Sequence, residues 1–258
     1  MSIIQQLFSL EDKTAIVTGG GRGLGRQMAL AYADAGANVV VCSRKVQACE
    51  EVAEELTKKG VKALALPCDV TDQEQVHRTV KETIEAFGTV DILVNNSGAS
   101  WGAPALEMPL EAWQKVMNVN VTGTFLMSKA AGKHMVDQKA GKIINIASVA
   151  GLNGVDSRVM DTIGYNASKG AIVTFTKDLA AKCGPSNVHV NAIAPGFFPT
   201  KMSKGVLEIG GDFILDRTPL QRYGGDEDLM GAALFLASKA SDYVTGEILV
   251  VDGGMNAV

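Results

Sequence analysis

AIVTGGGRGLG, residues 15–25, is a short apolar, β-branched run that breaks into glycines and then opens a helical pattern. Glycines at 19, 21, 23 and 25 let the chain turn tightly and bring its backbone close to a ligand. The helix that follows presents free N–H groups and the positive end of its dipole, a ready site for a pyrophosphate. A glycine pattern alone is an ordinary turn. The strand before it and the helix after it mark Gly19, Gly21, Arg22, Gly23, Leu24 and Gly25 as a dinucleotide-binding corner.

Outward from this corner, short apolar runs recur at 15–18, 38–42, 62–66, 91–95, 142–148, 188–194 and 247–252. Most intervening stretches carry apolar residues at helical spacing, such as Val46, Cys49, Val52, Ala53 and Leu56, or Val76, Val80, Ile84 and Phe87. Nearly continuous apolar strands separated by helices imply a parallel sheet covered on both faces, because parallel neighbours require a crossover. The expected fold is α/β, a Rossmann-type doubly wound sheet of seven parallel strands within a single domain spanning 1–258. Residues 197–225 break the alternation with Gly and Pro around short apolar pieces, and long inserts of this kind are usually functional. A substrate lid is expected there.

Hydrophobic residues make up 47% of the chain and charged residues 20%, enough apolar material for a core and too little charge for disorder. The 24 Lys+Arg against 28 Asp+Glu form no basic stripe, which argues against nucleic acid. No run is long enough to span a membrane, and MSIIQQLFSLEDK lacks the positive start of a secretory signal. Cys42, Cys49, Cys68 and Cys183 show no metal spacing, so free thiols and a cytoplasmic setting are expected. His77, His134 and His189 have no paired carboxylate nearby in sequence and read as structural or solvated; no metal site is expected.

The end of the second strand reads Cys42-Ser43-Arg44, where a site selective for NAD(H) usually places a carboxylate on the ribose 2′-hydroxyl. Nothing there repels a 2′-phosphate, and Arg44 and Arg22 can pair with one, so NADP(H) is favoured over NAD(H). Tyr165 and Lys169, four apart in a helical stretch, share a face. A cation beside a phenol favours the phenolate, which would bring an acid/base toward working pH. Ser148, read as ending the fifth strand, can stabilise charge developing on a substrate oxygen.

Together these residues resemble the single-domain short-chain dehydrogenase/reductases. The resemblance runs from about residue 10 onward. It rests on T-G-x-x-x-G-x-G at 18–25, Asp69-Val70, N-N-S-G at 95–98, Asn120, Ser148, Y-x-x-x-K at 165–169, P-G at 195–196 with Thr200, and V-D-G-G at 251–254. It implies hydride transfer between a nicotinamide and a carbonyl or hydroxyl carbon, with Asn120, Ser148, Tyr165 and Lys169 as the catalytic set. By resemblance Lys169 also bonds the nicotinamide ribose, and Asn120, preferred over Asn118, holds a water leading from Lys169 to solvent. Asp69 and Val70 would meet the adenine, and Asn95, Asn96, Ser97 and Gly98 the adjoining wall. Pro195, Gly196, Phe198 and Thr200 would border the carboxamide. Two departures stand out: Ser97 replaces the usual Ala, and the 17 positions from Ser148 to Tyr165 exceed the common spacing.

Candidate substrate walls are Ser100, Trp101, Asn153, Phe197, Phe198 and Met202, a mostly apolar set without a charged cluster. Within the family the chain looks most similar to 3-oxoacyl-thioester reductases and their rhamnolipid-pathway relatives, implying reduction of a β-keto carbonyl. A polyol or gluconate-type dehydrogenase is the alternative, and a dinucleotide sensor without turnover a third reading. The resemblance also implies a homo-oligomer, a dimer or tetramer, paired through helices holding 110–134 and 165–183.

Overall fold

The computed structural model describes residues 2–258. Strand β1 (Thr14–Thr18) is buried at all five positions and pairs in parallel with β2 (Asn38–Ser43) and β4 (Ile92–Asn95). With β3 (Ala63–Pro67), β5 (Gly141–Ile146), β6 (Val188–Pro195) and β7 (Ile248–Val251) these form one parallel sheet in the order β3-β2-β1-β4-β5-β6-β7. The seven-stranded doubly wound architecture expected from the apolar runs is present. Its winding reverses between β1 and β4, so a crevice opens beyond the carboxyl ends of those strands.

Alternation along the strands divides the core. Ala15 and Val17 of β1 face one layer, packed with α2 (Gly23–Asp34), α3 (Gln47–Lys58) and α9 (Met230–Ala237). Ile16 faces the other, with α4 (Gln73–Phe87), α6 (Gly123–Asp137) and α7 (Ile163–Cys183). A short α1 (Ile3–Phe8), closed by a capping box between Ser2 and Gln5, precedes the sheet. Helix α5 (Leu110–Met117) runs into α6 through a wide π-type turn, Asn118–Thr122.

Two boundaries differ from the sequence reading in ways that matter. β5 ends at Ile146, and Ser148 lies beyond it as the N-cap of a 3-10 turn, accepting from the Ala150 N–H at 3.2 Å. Residues 197–225 contain a helix, α8 (Lys204–Asp216), whose apolar pattern Gly205, Gly210 and Gly211 interrupt.

Asn95 corrects an expectation. Its side chain turns away from the crevice into the helix layer, donating to Asn145 Oδ1 at 2.8 Å and Ser128 Oγ at 2.9 Å, while Asn145 donates to Thr176 Oγ1 at 2.9 Å. This buried chain ties β4 and β5 to α6 and α7, and Asn95 is no wall of a cofactor site. Asn145→Ala removes the middle link and takes one buried hydrogen bond from each of Asn95 and Thr176; it is expected to cost about 1–3 kcal/mol in urea unfolding. A loss below about 0.5 kcal/mol would mean that the chain contributes no stability.

Candidate active site

The glycine corner sits at the crevice. Gly19 adopts φ +65°, a conformation that side chains resist. A Cβ on Gly25 would lie 2.5 Å from both Asn96 Nδ2 and Gly19 O, so only glycine lets α2 start this close to the sheet. Arg22, the N-cap of α2, makes no side-chain capping bond, which leaves N–H groups of the first turn facing the crevice. Asn96 donates through Nδ2 to Thr18 O at 2.8 Å and Gly19 O at 3.2 Å. The Asn96 and Ser97 N–H groups both donate to Thr18 Oγ1 at 3.0 Å. Thr200 faces the turn from the opposite side, its Cγ2 3.6 Å from the Cβ position of Gly23.

These features fit a dinucleotide: a cradle that a Cβ would fill, an uncapped helix start and two unengaged cations. Among the described residues the side chain of neither Arg22 nor Arg44 hydrogen-bonds or ion-pairs within the chain, and both residues are exposed. Ser43 donates to Lys45 O at 2.8 Å, shaping the β2 corner. Asp69, after β3, accepts from Thr71 N at 3.0 Å and Thr71 Oγ1 at 2.8 Å. Val70 is buried against the Gly123 backbone, so its side chain is not offered to a ligand.

Tyr165 and Lys169 lie one turn apart on α7, and the Tyr165 hydroxyl lies beside Ser148 on the same cavity wall. Lys169 is buried, donates to Ile146 O and lies 5.6 Å from the Tyr165 ring centroid. Burial pushes the Lys169 ammonium down to about 8. The Tyr165 phenol moves up rather than down, because burial outweighs the opposing influence of the neighbouring Ser148 hydroxyl. The expectation that the lysine lowers the phenol is therefore reversed: the ammonium is turned to a carbonyl, and burial favours the protonated phenol.

Asn120 is buried and Asn118 exposed. The Asn120 side chain accepts from Ala99 N at 2.7 Å and donates to Ala99 O at 2.9 Å and Ser168 Oγ at 2.8 Å. It clamps the 97–100 loop to α7.

Ser148 and Tyr165 open onto a cavity of about 580 Å³, bordered by Leu24, Gly196, Thr200 and Met202. Ser100, Asn153 and Phe197 line it as expected from sequence. Trp101 does not; it is 46% exposed with the Lys115 ammonium 6.0 Å from its ring. Phe198 reaches the wall but is 5% exposed and packed on Gly224, a core residue first. The sequence reading missed Asp156, Phe213 and Arg217, which also line the cavity. Phe213 and Arg217, four apart at the end of α8, were the available signal. His77, His134 and His189 lie on α4, α6 and β6, outside this wall. No group of three or more His, Cys, Asp or Glu among the described residues is placed to hold a metal.

A family model described as Enoyl-(Acyl carrier protein) reductase matches residues 19–256. The chain is 38% identical over 254 residues to 5-keto-D-gluconate 5-reductase of Escherichia coli (strain K12), covering 98% of each chain. It is 40% identical over 249 residues to a 3-oxoacyl-[acyl-carrier-protein] reductase of Synechocystis sp., covering 96% of this chain and 98% of that one. A gluconate 5-dehydrogenase from Burkholderia cenocepacia J2315, solved with NADP and tartrate, superposes with a TM-score of 0.93 at 35% identity, covering 99% of each chain.

The depressed Lys169 ammonium has a consequence for stability. Between about pH 8 and 10.5 the unfolded chain binds more protons at this lysine than the folded one, so its contribution makes stability rise with pH there. Lys169→Met is expected to remove a rise on the order of 3 kcal/mol across that window. Denaturant unfolding of the ligand-free protein at pH 7.5 and 9.5 checks it, and an unaltered slope would show that the ammonium is solvated.

Proposed function

This chain belongs to the short-chain dehydrogenase/reductase family, and we propose that it interconverts a carbonyl and an alcohol with NADP(H), using Tyr165 as its acid/base. The observation that carries this reading is the pair of neighbouring hydroxyls, Ser148 and Tyr165, on a cavity wall that reaches Leu24 of the glycine corner. The bound nicotinamide supplies or accepts the hydride. In the reducing direction the Tyr165 hydroxyl gives its proton to the substrate oxygen while Ser148 donates a hydrogen bond to that oxygen as charge develops. Lys169, buried beside the ring, stabilises the phenolate left behind and returns a proton to it. Asn120 positions α7 through Ser168, the residue before Lys169.

For the cofactor, Gly19, Gly23, Gly25 and the start of α2 would hold the pyrophosphate, and Asp69 would meet the adenine. Thr200 with the Pro195-Gly196 turn would meet the carboxamide. Arg22 and Arg44, with no partner of their own, would take a 2′-phosphate, the basis for preferring NADP(H). Residues 197–225, carrying α8, would serve as the substrate lid. Self-association through α5, α6 and α7 belongs to the same reading, and the exposed Leu110, Phe125 and Ile163 support it.

Two substrate classes fit. A 3-oxoacyl or related β-keto compound suits the apolar wall of Val159, Met160, Val206 and Phe213. A polyol or sugar acid suits Ser100, Asn153 and Asn256 on the same cavity. The sensor reading loses ground, because Tyr165 and Lys169 are both in place.

Tyr165→Phe is expected to cut kcat roughly 10²- to 10⁴-fold while leaving the NADPH dissociation constant within about twofold. Steady-state assays with fluorescence titration check this, and retained turnover would assign the proton to another group. Arg44→Asp should raise KM for NADPH tenfold or more, roughly, with a much smaller change for NADH. Equal effects on the two cofactors would remove the phosphate site.

A further inference from the structure

One cation on the cavity wall has no task in the reaction described above. The loop between Ser148 and Tyr165, longer than is usual in the family, brings Asp156 and Arg158 against α8. Its Val159 Cα lies 3.3 Å from the Cβ position of Gly210, so the helix rests directly on the loop. Asp156 and Arg158 form a forked ion pair at 3.0 and 2.5 Å, which holds the Asp156 carboxyl far below the usual carboxylate range. Their charges cancel.

Arg217 is left over. It lines the cavity with Phe213, and its guanidinium carbon lies 4.3 Å from the Phe213 ring centroid, with Arg158 at 5.2 Å from the same ring. Among the described residues its guanidinium makes no hydrogen bond and no ion pair, and the Asp156 carboxylate, whose charge it feels, is already bonded to Arg158. The acidic residues of its own helix, Glu208, Asp212 and Asp216, do not line the cavity. As the C-cap of α8, Arg217 could serve only to complement the helix dipole. That role would aim it at the last carbonyls of the helix, and it bonds none of them. A planar cation set over an aromatic ring on the wall of a substrate cavity, with no hydrogen bond engaging its donors, is suited to a bidentate anion.

We infer that Arg217 pairs with a carboxylate of the substrate, so that this enzyme acts on an oxo-acid or hydroxy-acid rather than on a neutral ketone or alcohol. The inference rests on the carbonyl–alcohol reading and narrows it. A sugar acid and a simple 3-oxo acid share the required group, and Arg217 would grip either.

The test compares acids with neutral partners of nearly the same shape: acetoacetate with methyl acetoacetate under NADPH, and gluconate with sorbitol under NADP⁺. The wild-type protein is expected to prefer the acid of at least one pair roughly tenfold or more in kcat/KM. Arg217→Gln should abolish that preference through KM, and Arg217→Lys should restore part of it. Preference in the acetoacetate pair assigns the 3-oxo acid, and preference in the gluconate pair the sugar acid. Equal treatment of acid and neutral partner by the wild type overturns the inference and leaves the reductase reading standing, as does an equal loss on both partners in Arg217→Gln. If no compound turns over, the reductase reading fails for this panel, and calorimetric titration of gluconate and acetoacetate into the NADP⁺-loaded protein decides the pairing. Binding to the wild type but not to Arg217→Gln sustains it; equal binding, or no binding to either, overturns it.

Discussion

The crevice between β1 and β4 exists because the sheet reverses its winding there, and one carboxamide holds its floor together. Asn96 reaches from the end of β4 to the Thr18 and Gly19 carbonyls at the end of β1. Thr18 answers by accepting two N–H groups from the β4 side. The Gly25 backbone then packs so close that no side chain fits between α2 and this amide. Every ligand-facing element described above takes its position from this stitched junction: the glycine corner, the 97–100 loop clamped by Asn120, and Thr200 opposite.

Burial sets the character of the site as firmly as its geometry does. Lys169 and Tyr165 are both pushed toward their neutral forms, the amine and the phenol. A charge appearing on either therefore meets little solvent, and its electrostatic partners act on it more strongly than they would in water. The folded chain bears the cost of placing them there, and the apolar layers on both faces of the sheet offset it.

Much of this was legible in the sequence, for a physical reason. A parallel sheet buried on both faces requires continuous apolar strands, so runs such as NVVVC and DILVN announce themselves without help from tertiary context. Tyr165 and Lys169 were legible because four residues on a helix is a fixed geometry. Less legible were features set by packing between distant segments. The three glycines of α8 hide a helix that is held by its rest on the 156–160 loop. Trp101 looked like a pocket wall because it is large and close in sequence to Ser100, yet it lies at the surface under Lys115. Asn95 and Asn96 are adjacent, but successive strand residues point to opposite faces, and that alternation sends one amide into the helix layer and the other to the crevice. Arg217 is separated from Tyr165 by more than fifty positions, and only its four-residue spacing from Phe213 sets it apart from a solvated helix end.

The wide turn at Asn118–Thr122 joins α5 and α6 into one continuous rod with a phase slip in its middle. Each residue of an α-helix advances the surface by roughly 100°, so an added residue rotates everything beyond it by about that angle. A regular rod has only one inward stripe. With the slip, α5 can lay its stripe on α7 while α6 lays a different one on the sheet and α4. Asn120 sits at the point where the two phases meet, the place on the rod from which one side chain can reach both the 97–100 loop and α7.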